Sequence, residues 1–289
     1  MLKTRVIGVL AVKDGLVVQS VGFRRYLPVG VPAIAVEYLN RWGIDEIVLL
    51  DIRATVDGRR PQFDLIAEYS KHGQVPFAVG GGIRDIYDID SLMRAGADKV
   101  VINTAAVEQP TLISEGARRY GNQCIVVSLD ARLVAPGRYG VFTRSGRQAT
   151  GHAPVELARR AEQYGAGEIL LTSIDRDGSK QGYDANLIAP VVNAVGIPVI
   201  VCGGVDRPAH LLEGIRLGAS AVAAANFFHY TEHSVAVAKH FLETLGAGVR
   251  LDTLVTYDGF DHDGNGRLGK VDDDVLDRLR FKHVPEEVI

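Results

Sequence analysis

Two glycine runs are placed where anion chemistry would need them. Gly80-Gly81-Gly82 and Gly203-Gly204 each follow a short apolar run and precede a helical pattern. Glycine lets backbone N–H groups come close to a ligand, and a following helix N-terminus favours negative charge. Asn103-Thr104 and Ala225-Asn226 end the next apolar run in each case and are positioned to complete two cradles. The pattern suggests a ligand carrying phosphate at both ends; tight turns with no ligand are the plainer alternative. Carboxylates are the other chemistry-bearing group. Asp51 and Asp130 close apolar runs, and Asp175 and Asp177 follow a third. A buried Asp at a strand end is costly without a role, so Asp130 and Asp51 are candidate acids, bases or ligand contacts. Asp175-Arg176-Asp177-Gly178 reads equally well as a solvated turn or as part of a site.

These residues need a frame that gathers strand ends at one place. Continuous apolar runs at 6–12, 46–50, 76–79, 99–102, 125–129, 168–171, 198–201 and 221–224 read as parallel strands buried on both faces. Amphipathic stretches such as 31–42, 86–95, 155–164 and 209–217 lie between them, and Gly43, Gly96, Gly165 and Gly218 stand at their ends. Eight strands alternating with eight helices predict an α/β fold, a (β/α)8 TIM barrel, with an open doubly wound sheet as the alternative. In such a barrel the chemistry sits at the carboxyl ends of the strands. An internal repeat favours the ring. Residues 79–84 reappear at 201–206, 122 positions later, and 95–100 return as 217–222 at the same offset. Leu49-Leu50-Asp51-Ile52 is echoed by Leu170-Leu171-Thr172-Ser173 at an offset of 121. In this two-fold half-barrel repeat, Asp130 corresponds to the end of the first strand, where Ala11 stands. One member of a possible acid/base pair is absent.

The expected organisation is a barrel over residues 1–246 and a short C-terminal extension, 247–289, packed on it. The extension holds a turn-rich stretch at 258–274 and an amphipathic run at 275–281. Within it, Asp261-His262-Asp263-Gly264-Asn265-Gly266-Arg267, with Asp272 in twelfth place, resembles the start of a calcium loop. No clear helix precedes it and the twelfth residue is not Glu, so a polar turn is the preferred reading. His229 and His233 have no partner at metal-ligand spacing. No metal and no cofactor is expected.

Composition narrows the function classes. Of 289 residues, 47% are hydrophobic and 23% charged, which excludes a disordered or fibrous chain. The net charge of −3 gives no reason to expect nucleic acid or an anionic membrane as partner. No apolar run approaches the roughly 18 residues that span a bilayer. Two cysteines, Cys124 and Cys202, in apolar surroundings fit a reducing compartment, and the first residues lack a signal-peptide layout. A cytoplasmic protein is expected.

Over about residues 1–245 the chain resembles the cyclase subunit of imidazole glycerol phosphate synthase, the HisF family. The resemblance rests on residues 79–84, 95–106, 121–130, 165–184 and Gly203-Gly204, and the run from Gly165 to Gly178 follows the family almost letter for letter. It implies a (β/α)8 barrel that docks a HisH-like glutaminase at its amino-terminal face as a heterodimer. Ammonia then passes up the barrel to a bisphosphorylated ribonucleotide. It also implies a charged ammonia gate at the floor, formed by Arg5, Glu46, Lys99 and Glu168, all present here. By the same resemblance Asp130 is catalytic, and phosphate and substrate contacts fall to Gly81, Gly82, Asn103, Thr104, Asp51, Thr172, Asp177, Gly178, Gly203, Gly204 and Asn226.

The departures are equally informative. The family's catalytic pair is an Asp at the end of strand one and another at the end of strand five; here the first is Ala11. A first-loop lysine is replaced by Gln19 and a phosphate-site serine by Asn226. Losing one proton-transfer partner costs about 100-fold or more in rate, which argues against ordinary cyclase turnover. One branch of the family shares the strand-one change, and its barrel supplies ammonia to a separate sugar amidotransferase for acetamidino-sugar formation in surface polysaccharides. Residues 21–30, residues 228–234 and the C-terminal extension resemble this branch more closely than the histidine-pathway enzyme. The alternatives are a histidine-pathway cyclase in which Asp51 takes over the lost role, and a non-catalytic scaffold that passes ammonia onward.

Overall fold

β-Branched and other apolar residues dominate eight short runs, and in the three-dimensional structure these runs lie side by side as parallel strands. The structure is a computed structural model that describes residues 3–231, 233–251, 257, 260–269 and 272. Its elements are, in order, β1 (Arg5–Lys13), β2 (Leu16–Val21), β3 (Arg25–Gly30), α1 (Pro32–Arg41), β4 (Glu46–Asp51), α2 (Phe63–Tyr69) and β5 (Phe77–Gly80). There follow α3 (Ile86–Arg94), β6 (Lys99–Ile102), α4 (Thr104–Glu108), α5 (Thr111–Tyr120), β7 (Ile125–Ala135), β8 (Arg138–Thr143) and β9 (Gln148–Ala149). The last are α6 (Pro154–Gln163), β10 (Glu168–Ser173), α7 (Ala185–Val192), β11 (Val199–Cys202), α8 (Pro208–Arg216), β12 (Ala221–Ala224) and α9 (Ser234–Thr244).

The ring runs β1-β4-β5-β6-β7-β10-β11-β12 and closes by parallel pairing of β12 with β1, Arg5 opposite Ala221. The fold is a closed (β/α)8 barrel, and the open-sheet alternative falls away. Helices cover the outside. The glycines expected to stop them, Gly43, Gly96, Gly165 and Gly218, adopt φ between 80° and 100°, a region that side chains disfavour.

Strand pleating divides the core in two. Alternate residues of each strand point inward, so Ile7 and Val9 meet Val48, Ala78, Val101, Val126, Leu170 and Ile200 inside the ring. Their neighbours Val6, Leu10 and Val12 point outward into the larger layer between strands and helices. That parity sets which polar residues share the interior. On β1 it selects Arg5 and Ala11, on β4 Glu46, on β6 Lys99, on β7 Ser128 and Asp130, and on β10 Glu168 and Thr172.

Two antiparallel hairpins interrupt the alternation: β2–β3 continues β1, and β8–β9 continues β7. Asp14-Gly15 turns β1 into β2, with both residues at positive φ. Near the floor, the fully buried Lys239 of α9 donates to the Gly43 carbonyl (2.5 Å) and to Asp45 Oδ1 (2.7 Å), while Asp45 Oδ2 accepts from Val6 N (2.7 Å). Beyond α9, Asn265 O accepts from Ala209 N (3.1 Å), and His262 packs against His240 and Phe241. The loop around Asp263 closes on itself, with Asp263 Oδ1 accepting from Asn265 N (2.8 Å) and Arg267 N (3.0 Å). The expected amphipathic run at 275–281 lies outside the described residues.

Candidate active site

The inward rows end in charge at the bottom of the barrel. Arg5 Nη1 donates to Glu46 Oε2 (2.5 Å) and Nη2 to Glu168 Oε1 (2.6 Å). Lys99 Nζ donates to Glu46 Oε1 and Oε2 (3.0 and 2.9 Å) and to Glu168 Oε2 (2.9 Å). The four side chains form a closed, alternating ring of two cations and two carboxylates. Taking such charges from water costs several kcal/mol each unless they pair, and here every one has two partners. Burial alone would depress the Arg5 guanidinium, but Glu168 and Glu46 outweigh it and raise its pKa.

At the opposite end the rows open into a cavity that continues into open solvent. Ala11, Asp130, Thr172 and Cys202 line it from the strand ends, and Gly81, Gly82, Asn103 and Thr104 from the loops after β5 and β6. Both hairpins reach over it, contributing Ser20, Phe23 and Tyr26 from the first and Arg144 and Ser145 from the second. Phe23, Arg144 and Ser145 hold positive φ of 52° to 56°. Strain of this kind, of order 1–3 kcal/mol per residue, persists where surrounding contacts impose it. Those contacts include Ser145 Oγ donating to the Ile52 carbonyl (2.6 Å) and Arg144 N donating to Thr104 Oγ1 (3.2 Å).

Asp130 is the group best suited to move a proton. Burial raises its pKa to about 7; Ser128 Oγ, 3.3 Å away, opposes the rise and nearby Asp177 adds to it. A carboxyl balanced near neutral pH exchanges protons readily in either direction. Around it stand groups that stay protonated: the Tyr26 phenol, raised by burial and Asp177, and the Cys202 thiol, pushed up to about 12 mainly by burial. Cys202 is therefore no thiolate nucleophile at neutral pH.

The remaining expected residues divide into two groups. Asn103 Nδ2 donates to the Ser128 carbonyl (3.0 Å) and Thr104 Oγ1 to Asn103 Oδ1 (3.3 Å), all at the cavity wall. Gly82 N donates to Thr55 Oγ1 (3.1 Å), whose hydroxyl also lines the cavity. By contrast, Asn226, Asp177 and Gly178 are engaged with the first hairpin. Asn226 Nδ2 donates to the Ser20 carbonyl (2.7 Å) and its Oδ1 accepts from Ser20 N (3.1 Å). Asp177 Oδ2 accepts from Ser20 Oγ (2.6 Å) and Phe23 N (3.1 Å), and burial raises its pKa. A Cβ on Gly178 would lie 2.6 Å from the Ser20 carbonyl oxygen, and its φ is +66°, so glycine is what allows the hairpin this close.

Asp51 is out of phase with the interior row Glu46, Val48 and Leu50. Its Oδ1 accepts from Arg53 N and Ala54 N (2.9 Å each), and Oδ2 meets Arg59 Nη1 at 3.2 Å. Sequence reasoning passed over Ser20, Tyr26, Cys202, Arg144 and Ser145 as wall residues. The hairpins that carry four of them had a readable signal in Asp14-Gly15, Pro136-Gly137 and Ser145-Gly146.

A closed parallel barrel with a charged floor and an anion-suited mouth is matched by one family model, described as Histidine biosynthesis protein, over residues 5–234. The chain belongs to that family. The match spans all eight barrel strands and ends at the start of α9. It makes the chain a HisA/HisF-type TIM barrel, in which the catalytic machinery is expected at the carboxyl ends of the strands, the end where Asp130 and the cavity lie.

Proposed function

We propose that this family member is the HisF-like barrel subunit of a glutamine-dependent pair. A HisH-like glutaminase docks at the floor, and ammonia passes through the Arg5–Glu46–Lys99–Glu168 ring and the barrel to an acceptor at the mouth. The branch is acetamidino-sugar formation in lipopolysaccharide biosynthesis, where a sugar amidotransferase receives the ammonia, and the ligand of the mouth is a small phosphorylated molecule. One pairing of observations carries this reading: all four charges of the floor ring are kept and fully paired, while the mouth has Asp130 opposite an alanine. A floor built at such desolvation cost has no use in a simple packed barrel, where apolar residues would serve better. The long match between residues 165–184 and the cyclase run favours HisF over the isomerase of the same family.

The alternative, a histidine-pathway cyclase in which Asp51 replaces the lost partner, is disfavoured by the pleat. Asp51 lines the cavity but is out of phase with the interior row, and its carboxylate accepts from Arg53 N, Ala54 N and Arg59 Nη1. The deciding experiment purifies the chain with its cognate glutaminase and follows glutamine-dependent turnover. Negligible imidazole glycerol phosphate formation, with glutamine-dependent amidine formation when the sugar amidotransferase is added, is expected. Robust imidazole glycerol phosphate formation, or rescue of a cyclase-deficient histidine auxotroph, would refute the assignment.

A further inference from the structure

The mouth of the barrel is chemically one-sided. On the β5–β6 side, Gly81, Gly82, Asn103 and Thr104 line the cavity together with Arg144, whose guanidinium donates to Gln148 Oε1 and Glu108 Oε1 (2.9 Å each). On the β11–β12 side, only Cys202 and Ala225 of the strand ends reach it among the described residues. The space beside Gly203, Gly204 and Asn226 is taken by the chain itself.

Three observations define this occupancy. Both functional groups of the Asn226 amide are spent on the Ser20 backbone, at 2.7 and 3.1 Å. The hairpin presses directly on the neighbouring loop, with Gly22 N donating to the Asp177 carbonyl (3.0 Å) and Ser20, 6% exposed, sealed between Asp177 and Asn226. Gly204 is covered by the 176–182 loop: Gly182 N donates to its carbonyl (2.8 Å), and a Cβ there would lie 2.2 Å from the Gly182 carbonyl oxygen. Charge adds to sterics. The Asp177 carboxylate stands on this side, so a second phosphate would meet a like charge in a water-poor environment, where repulsion is strongest.

We infer that the first hairpin fills one of the two anion subsites, and that the mouth takes a ligand with a single anionic end, held on the β5–β6 side. This deepens the reading above by naming the ligand class: a sugar-sized molecule bearing one phosphate, not one phosphorylated at both ends. A bisphosphate would have to displace five hydrogen bonds between the hairpin and the loops after β10 and β12. The phosphate of the favoured ligand would accept a hydrogen bond from Gly82 N in place of the Thr55 hydroxyl, or from that hydroxyl itself, and would draw the Arg144 guanidinium from Glu108.

The test is binding of a pentose 5-monophosphate and of the 1,5-bisphosphate of the same pentose to the purified full chain, by calorimetry. The two dissociation constants are expected to agree within about threefold, and Arg144→Ala to weaken both by about tenfold. Asn226→Ala, which unlocks the hairpin, is expected to improve the bisphosphate selectively. A bisphosphate that binds the parent chain tenfold or more tightly than the monophosphate would overturn the inference. So would binding indifferent to Arg144→Ala, or no binding of either sugar at about 10 mM. No glutaminase takes part, so a failed ammonia-transfer assay leaves this result standing, and the reverse.

Discussion

Asp130→Asn should make the protein more stable at alkaline pH and leave it nearly unchanged at acid pH. In the folded chain burial holds the Asp130 carboxyl near pH 7, whereas in the unfolded chain it titrates as an ordinary aspartate near 4. The folded state therefore binds a proton between about pH 4 and 7 that the unfolded state has released. Where the native state binds more protons, stability falls as pH rises. The loss begins above the unfolded value and is complete once pH exceeds the folded value. A roughly thousandfold difference in proton affinity corresponds to about 4 kcal/mol, an upper figure because Asp177 shares part of it. Asparagine imitates the protonated form in shape, and the contacts it inherits from Ser128 and Asn103 are long, at 3.3 and 3.4 Å. Little is lost by the exchange. Urea unfolding of both proteins between pH 4.5 and 8 would read the effect, with the difference growing from near zero to about 2–4 kcal/mol in favour of the variant. A carbon-13 carboxyl titration would locate the midpoint directly. A difference between the two proteins that stays flat with pH would refute the claim that Asp130 holds its proton by burial.

Lys99→Ala leaves Glu46, 1% exposed, and Glu168 facing each other with Arg5 as their sole cation among the described residues. Urea unfolding should show a loss of about 3–5 kcal/mol, and glutaminase-coupled ammonia transfer should fall while addition of free ammonium salts bypasses the defect. Gly178→Ala drives a methyl into the Ser20 carbonyl oxygen. Hydrogen exchange of residues 16–30 should accelerate, with about 1–3 kcal/mol lost locally, and the rest of the barrel should be unaffected. Lys239→Met keeps the volume but strips Asp45 of its buried cation; a loss of about 3–5 kcal/mol in urea unfolding is expected. Because Asp45 and Val6 adjoin Glu46 and Arg5, the same variant should also slow ammonia transfer.

Local pattern carried the barrel a long way. Continuous apolar runs with glycine-stopped helices between them mark strands buried on both faces, and each of the eight expected runs overlaps a barrel strand within a residue or two at its start. The mouth was legible in part, because glycines and carboxylates at strand ends have few other reasons to be there. The hairpins were not foreseen although Asp14-Gly15 announces one. Their strands are short and half-exposed, and their burial depends on what lies beneath them. The surroundings of Asp51 were hidden for a related reason. Its position at a strand end is visible, but the direction of its side chain follows from pleat parity and from the loop that captures it.

The sequence by itself determined the strand-and-helix alternation, the position of Asp51 and Asp130 at strand ends, and the absence of a second acid at position 11. These follow from continuous apolar runs and from the 3.6-residue period of the stretches between them, which any short window reveals. Tertiary structure alone decided that the four floor charges close into one ring, with partners up to 163 residues apart. It alone decided that Ser20 meets Asn226 across 206 residues and so fills half of the mouth. Such contacts depend on ring closure and on how far a hairpin leans, which are properties of the assembled barrel and leave no periodic trace in the chain.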